Sequence, residues 1–516
     1  MMGPNFSPLA LLATSMLLGL LITCIYRLHL HPLARYPGPL IGRITDWYNV
    51  YHSWKGDRHI DMYKLHQKYG DIVRYGPNRI AINNPTALHE IYSVRSNVQK
   101  SSLYTVFQRF FKVASSGSLI DIAQHAARRR IIGQIVTLPV LKSMEAFVLD
   151  NVQGFCERLA GTESQTKEGE WSPGRDMTDW VARMAIDTIG GLLFGQAWTT
   201  LDADRKGEVV NAIPAGTKGF LMGGHMPAIL TLKLDQIFLR SLTSRARRFE
   251  SATKSQLEAR LAMSRASEVK ENDMFEKLLA ARDSSTGAGL TMTDMHAETM
   301  VIMVAGYDTM ATTITATIFH LLHNPSTLSL LRAEIDRTFS SVTAIVMGPE
   351  LNTCTYLRAC LDESLRLNPP VGGVLPRETL HHGITIAGNF FPAGTDLGVS
   401  LYALQRQEKY FSQPEVYEPS RWIAGDGGVA KQEAEASFTA TADAFAPFSL
   451  GPRGCPAKAM AYAEMMVVLA RLVFSLEMRL APGSRVIGPA PARFVTKDYF
   501  VSTHEGPVVQ FRKRAR

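Results

Sequence analysis

The apolar pattern changes character along the chain. From Pro8 to Tyr26 it is almost unbroken, and residues 1–26 carry no charged side chain. About 20 such residues suffice for a helix to cross a hydrocarbon core of roughly 30 Å. The basic cluster Arg27, His29, His31 and Arg35 follows the apolar run. A cleaved signal peptide would have the basic residues first and a small-residue cleavage site afterwards. The observed order predicts a membrane anchor with the rest of the chain on the cytosolic side. Residues 1–35 are therefore read as anchor and basic linker, and 36–516 as one large domain.

Beyond Tyr36-Pro37-Gly38-Pro39, a rigid turn that sets the body's angle on the membrane, apolar positions recur with helical period over 140–160, 176–195, 236–263, 295–323, 326–340, 355–367 and 456–476. Alternation about Gly76-Pro77-Asn78 predicts a hairpin over 71–82. The stretch 381–395 and the tail from Arg493 to Lys513 also have strand character, and 281–290 and 424–429 read as surface loops. With no internal repeat, the expected fold is mainly α with small β-sheets at one side.

Composition adds exclusions. The chain has 516 residues, 46% hydrophobic and 20% charged, so a large buried core is available and a disordered chain is excluded. The net charge of +8 suits a basic face for an acidic partner or anionic lipid, or a merely solvated surface. No nucleic-acid partner is expected. The five cysteines, Cys24, Cys156, Cys354, Cys360 and Cys455, show no CxxC spacing, which argues against a disulfide framework or structural zinc and for a reducing compartment. Cys354 and Cys360 read as small core residues on a helix.

Four constellations carry chemistry, in a fixed order. The helix opening at Thr291-Met-Thr-Asp294, a capping-box pattern, spans roughly 40 Å at 1.5 Å per residue and contains Ala305-Gly306-Tyr307-Asp308-Thr309. Gly306 would let a ligand approach the backbone, while Asp308 and Thr309 could relay protons; the alternative is a kinked core helix. Glu363 and Arg366 share a helix face at i, i+3. Arg421, in Pro419-Ser-Arg421-Trp422, could complete a triad with them. Last comes Phe448-Ser-Leu-Gly451-Pro-Arg453-Gly-Cys455, just before a helix whose amides, with Arg453, would favour a thiolate.

Together these motifs resemble the cytochrome P450 family, specifically its fungal, microsomal members, over essentially the whole chain. The loop matches the signature Phe-x-x-Gly-x-Arg-x-Cys-x-Gly except that Ala457 replaces the last glycine. The resemblance implies haem b with Cys455 as axial iron ligand, and a triad of Glu363, Arg366 and Arg421 holding the haem-side core. It implies Asp308 and Thr309 as proton relay, Gly306 as room for dioxygen, and Phe448 as part of the ligand loop. His125-Ala-Ala-Arg128-Arg129-Arg130 stands where the family has Trp-x-x-x-Arg. His125 then replaces the tryptophan, and Arg129, Arg377 and Arg453 correspond to propionate contacts. Met310 stands where a second Thr or Ser is frequent.

The implied reaction is monooxygenation of a lipophilic small molecule, such as a fungal secondary metabolite, by hydroxylation, epoxidation or desaturation. Electrons would come from NADPH through a separate flavoprotein reductase, with cytochrome b5 as a further donor, at the endoplasmic reticulum membrane. The same likeness assigns the substrate cavity to Tyr104, Phe107, Phe110, Phe111, residues 214–232, Met300, Val304, Val371–Leu375 and Phe500–Ser502. Arg128, Arg130 and Lys458 form a candidate docking face. Two readings stay open beside it: an isomerase or dehydratase of the same fold needing no reductase, and a non-catalytic haem-binding membrane protein.

Overall fold

A computed structural model of the chain describes residues 8–111, 113–161, 169–195, 198–201, 208–265, 273–423, 439–484 and 492–515. Its longer helices are α1 (Pro8–Ile25), α2 (Trp47–Lys55), α3 (Arg58–Tyr69), α4 (Ile122–Ile132), α5 (Glu145–Ala160), α6 (Met177–Phe194), α7 (Glu208–His225), α8 (Arg240–Arg265), α9 (Met292–His323), α10 (Pro325–Thr338), α11 (Thr355–Leu367) and α12 (Lys458–Ser475). The expected helices are all present, with local breaks. The 140–160 segment splits at Met144 into Leu138–Ser143 and α5, and 236–263 splits at Leu239 before α8. The loop read over 424–429 lies outside the described residues.

Among the described residues two helices are long and apolar enough to cross a bilayer, and burial separates them. The most apolar stretch of Pro8–Leu30 has no buried residue, whereas 67% of that of α9 is buried by the protein. An apolar helix with no protein around it needs another apolar phase, so the N-terminal one is the candidate anchor. The basic linker is tied to the body: Arg74, fully buried, donates to the carbonyl of Arg27 at 2.7 Å, and its amide donates to Pro37 at 2.7 Å.

Among the described residues twelve short strands form small sheets. β1 (Ile72–Gly76) and β2 (Arg79–Ile82) make the expected hairpin, joined by β3 (Val98–Lys100), β5 (Arg377–Thr379) and β8 (Asp396–Gly398) in the order β1-β2-β8-β5-β3. β4 (Arg175–Asp176), β12 (Val508–Lys513) and β9 (Leu476–Leu480) form a second sheet. The 381–395 stretch is the hairpin β6 (Ile384–Ile386)–β7 (Asn389–Phe391), and the tail supplies β10 (Thr496–Tyr499)–β11 (Val501–His504).

Most of the apolar core is one cluster shared by α5, α6, α9, α11 and α12, and a second lies under the β1–β8 sheet. The capping box at Thr291 and Asp294 is formed at the start of α9. All five cysteines are free thiols; Cys156, Cys354 and Cys360 are core residues, with Cys354 at the cap of α11 rather than inside a helix.

The helical core is joined to the irregular segment 405–422 through one carboxylate. Glu363 and Arg366 are both fully buried, and Arg366 grips both oxygens at 2.8 Å. Arg421 Nε donates at 3.1 Å, the Glu418 amide at 2.9 Å and Trp422 Nε1 at 2.9 Å. The remaining Arg366 donors reach the carbonyls of Gln405, Pro414 and Val416. Burial pushes the Glu363 pKa up, but Arg366 and Arg421 outweigh it and hold the carboxyl below the usual glutamate value.

Replacing Glu363 by Gln leaves Arg366 buried without its counter-charge, which should cost about 3–5 kcal/mol, read as a lowered denaturation midpoint. Because the folded-state pKa is depressed, this stabilisation is present above the unfolded value of about 4.3 and is lost as pH falls through the lower folded value. The native protein should therefore lose stability more steeply with acid than Glu363→Gln. An unchanged midpoint would exclude a holding role for the cluster.

Candidate active site: a cysteine loop and an open helix stripe

The Cys455 loop is shaped by its own backbone. The Cys455 amide donates to Phe448 O at 2.8 Å and the Gly454 amide to Gly451 O at 3.0 Å. Gly451 has φ of +63°, and a Cβ there would stand 2.0 Å from the carbonyl oxygen of Tyr92, so only glycine fits. Ala457 caps α12 with φ of −93°, a conformation open to any residue, so this alanine introduces no strain. The Phe448 ring packs 5.0 Å from Tyr462 of α12 and seats the loop.

Cys455 presents accessible surface although protein atoms crowd around it, as expected of a side chain facing a cleft. Burial raises its pKa, opposed by the Ala457 amide, Arg129 and Lys458. Full ionisation at neutral pH would need a metal, which deprotonates a coordinating thiol.

Beside the loop lies a group of cations. Arg129, on α4, donates to Gly454 O at 2.7 Å, and Arg453 donates to the carbonyls of Leu119 and Ile120. The β3–β5 register sets Lys100 directly opposite Arg377. Like charges in that position destabilise a sheet. Among the described residues, none of Lys100, Arg129, Arg377 and Arg453 forms an ion pair with a carboxylate. His125 is buried among them: burial, then Arg453, Lys100, Arg129 and Arg377, hold its pKa down to about 3, so it is neutral. Burial pushes Lys100 well below the usual lysine value, with Arg377 and Arg453 adding to it. Such a cluster fits a ligand carrying two carboxylates, as the haem propionates do. Lys100 was not assigned to this group from sequence; its only sequence signal was its neighbour across the sheet, invisible before folding.

On α9, the interior helix, one stripe is open: Val301 and Thr309 are partly exposed and Ala305 is exposed, while Met300, Met303, Tyr307 and Asp308 are buried. The spacing of four puts 301, 305 and 309 on one face. Thr309 donates its hydroxyl proton to Ala305 O at 2.7 Å, leaving the oxygen's lone pairs to accept a proton. At Gly306 a Cβ would meet the Ile189 side chain of α6 at 2.9 Å, so the glycine lets these two helices approach closely.

The cavity residues divide. Tyr104, Phe107 and Phe500 form an aromatic group, with Phe107 5.0 Å from Phe220 of α7. Val304 is partly exposed, but Met300 is 1% exposed within the core cluster and does not face the open stripe. Side chains of Phe110, Phe111 and 214–215 lie outside the described set. The docking face also changes. Arg128 pairs with Asp294 and Glu298 at 2.6 and 3.1 Å, and Arg130 with Asp283 at 2.5 Å, because α4 packs beside the start of α9; only Lys458 remains an exposed, uncommitted cation of the three.

With this geometry in place, comparison with known proteins is informative. The cytochrome P450 family model matches residues 33–498. Cytochrome P450 monooxygenase AKT7 of Alternaria alternata is 36% identical, over 95% of this chain and 94% of its own. Monooxygenase poxM of Penicillium oxalicum is 34% identical over 95% and 92%, and atnE of Emericella nidulans 33% over 96% and 95%. The chain belongs to the cytochrome P450 family. Its enzyme class is that of the P450 monooxygenases, and the family implies a haem group.

Cys455→Ser should abolish the red-shifted Soret band of the reduced, CO-treated protein; a retained band would exclude Cys455 as the ligand. Lys100→Met should speed haem loss to apomyoglobin about tenfold, the effect of one charge-assisted hydrogen bond worth about 1.5 kcal/mol. An unchanged rate would remove Lys100 from the haem cradle.

Proposed function

We propose that this chain oxidises a lipophilic small molecule in fungal secondary metabolism, using dioxygen and electrons passed from NADPH through a separate flavoprotein reductase. The observation that carries the reading is an exposed cysteine beside four cations that, among the described residues, form no ion pair with a carboxylate. The haem, when bound, supplies dioxygen activation, with the thiolate's electron donation favouring O–O cleavage. Cys455 holds the iron, and the Ala457 amide moderates the sulfur's charge. Arg129, Arg377, Arg453 and Lys100 would hold the propionates, with His125 neutral among them.

Thr309 stands at the open end of its stripe with acceptor lone pairs free, and the buried Asp308 is its neighbour in sequence. The pair would hold and pass protons on the distal side. The aromatic group of Tyr104, Phe107, Phe220 and Phe500 favours an apolar substrate. The exposed apolar span Pro8–Leu30, followed by the basic linker, supports a single-pass anchor in the endoplasmic reticulum with the catalytic domain in the cytosol.

The test is reconstitution of the full chain with NADPH, a reductase and a panel of lipophilic substrates. Product formation should require all three. Turnover without NADPH would favour the isomerase or dehydratase reading, and a normal Soret band with no turnover a binding role. Thr309→Ala should keep its haem while diverting NADPH electrons to hydrogen peroxide, about a hundredfold less product forming per NADPH, the low end of what one proton-transfer group contributes. Unchanged coupling would exclude the relay.

A further inference from the structure

Buried polar groups in folded proteins nearly always find partners, and one left alone costs about 1–3 kcal/mol. Three such groups lie where α2, α3, α7 and the β10–β11 hairpin contact one another, outside the Cys455 site: those of Arg58 and Asp498 converge on one glycine, and His225 is linked to them by the charge of Arg58. Arg58 opens α3, and its Nη1 is buried without a hydrogen-bond partner. Asp498 of β10 is 1% exposed; its Oδ1 accepts from the Phe500 amide at 3.0 Å, while Oδ2 has no partner. His225 ends α7, is 2% exposed, and has no partner at either ring nitrogen. Burial, then Arg58 and Arg79, keep the imidazole neutral, hence one donor and one acceptor.

A single backbone position ties two of them together. A Cβ on Gly373 would lie 2.5 Å from Asp498 Oδ2 and 3.0 Å from Arg58 Nη2, so both side chains converge on this glycine without Oδ2 accepting from the guanidinium. The fold has brought a free cationic donor and a free anionic acceptor to one place and left them unjoined. Asp498 also fixes the turn carrying Phe500, whose ring belongs to the aromatic group with Tyr104 and Phe107. Polar cluster and apolar wall are thus neighbours on one hairpin.

We propose that Arg58, His225 and Asp498 form a head-group site in the substrate cavity, taking a neutral group with both a donor and an acceptor, a hydroxyl or carboxamide, on an otherwise apolar substrate. The inference rests on the monooxygenase reading for the substrate's place, and on the three unpaired groups for its chemistry. A carboxylate would be opposed by Asp498, and an ammonium by Arg58. A hydroxyl or amide accepts from Arg58 and donates to Asp498 Oδ2. A site built to hydrogen-bond such a group discriminates strongly against an analogue lacking it, because its own polar groups are then left unpaired.

The experiment uses the full haem-loaded chain in lipid nanodiscs, with empty discs subtracted. Dodecane, 1-dodecanol, dodecanamide and dodecanoate are the probes, read by equilibrium dialysis and by the Soret shift. The alcohol and the amide are expected to bind at least tenfold more tightly than the alkane. Arg58→Met, His225→Phe and Asp498→Asn should each reduce that preference to about twofold or less; the Asn variant retains an oxygen for the Phe500 amide. Equal affinity for alcohol and alkane would mean that the groups hold only a bridging water, and would overturn the proposal. Tightest binding of dodecanoate, strengthened by Asp498→Asn, would mean an anion site and would overturn it equally. The native protein's probe series decides the matter even where a variant fails to fold. Dialysis reads the head-group preference whether or not the Soret band carries the thiolate signature, so failure of the site and failure of the monooxygenase reading remain distinct.

Discussion

Five hydrogen-bond donors, from Arg366, Arg421, Trp422 and the Glu418 amide, converge on the buried carboxylate of Glu363. Irregular chain has no ladder of its own to hold it, so a segment such as 405–422 needs partners supplied from outside. Arg366 supplies them through the carbonyls of Gln405, Pro414 and Val416, while Glu363 anchors the opposite side. Two charges sealed from water would be costly alone; saturated with donors and acceptors, they become a fixed point for the helical core. The same α11 meets α12 through Asp362, which accepts from Tyr462, and Tyr462 in turn seats Phe448 and the cysteine loop.

The cations beside Cys455 follow the opposite logic. The arginines of the Glu363 cluster face a buried carboxylate, whereas Lys100, Arg129, Arg377 and Arg453 spend their donors on backbone carbonyls. Their mutual repulsion would be relieved by an anion, and the haem of this family brings two carboxylates. The neutral His125 among them supplies volume without adding a further charge. Arg128 and Arg130, one position to either side of Arg129, are neutralised by acids at the start of α9 and on the loop before it. Three consecutive arginines thus divide between the cysteine loop and the acids near α9 by the face of α4 each occupies.

Much of this was legible before folding. The anchor, the seven helical segments, the three strand regions and the Thr291 capping box depend on local periodicity, and periodicity survives in the sequence because it reflects which face is buried. The Glu363–Arg366 pair was visible as an i, i+3 spacing, and Arg421 through the family motif. Trp422 was one residue away and escaped notice, since nothing local tells an indole that caps a carboxylate from one that fills space. Met300 shows the limit more sharply. It lies on a helix correctly placed, yet the core encloses it, and its neighbours there are distant in sequence.

By itself, then, the sequence determined the class of protein: an apolar span, a mostly helical body and a cysteine loop whose spacing admits a haem thiolate. Those features are one-dimensional, carried by period, order and residue type. Tertiary structure alone decided which charges meet an opposite charge and which meet a like one. Lys100 meets Arg377 through strand pairing, Arg58 meets Asp498 across Gly373, and Arg128 is taken by Asp294. Charge pairing depends on distances of a few ångström between segments hundreds of residues apart, and only a folded chain fixes those distances.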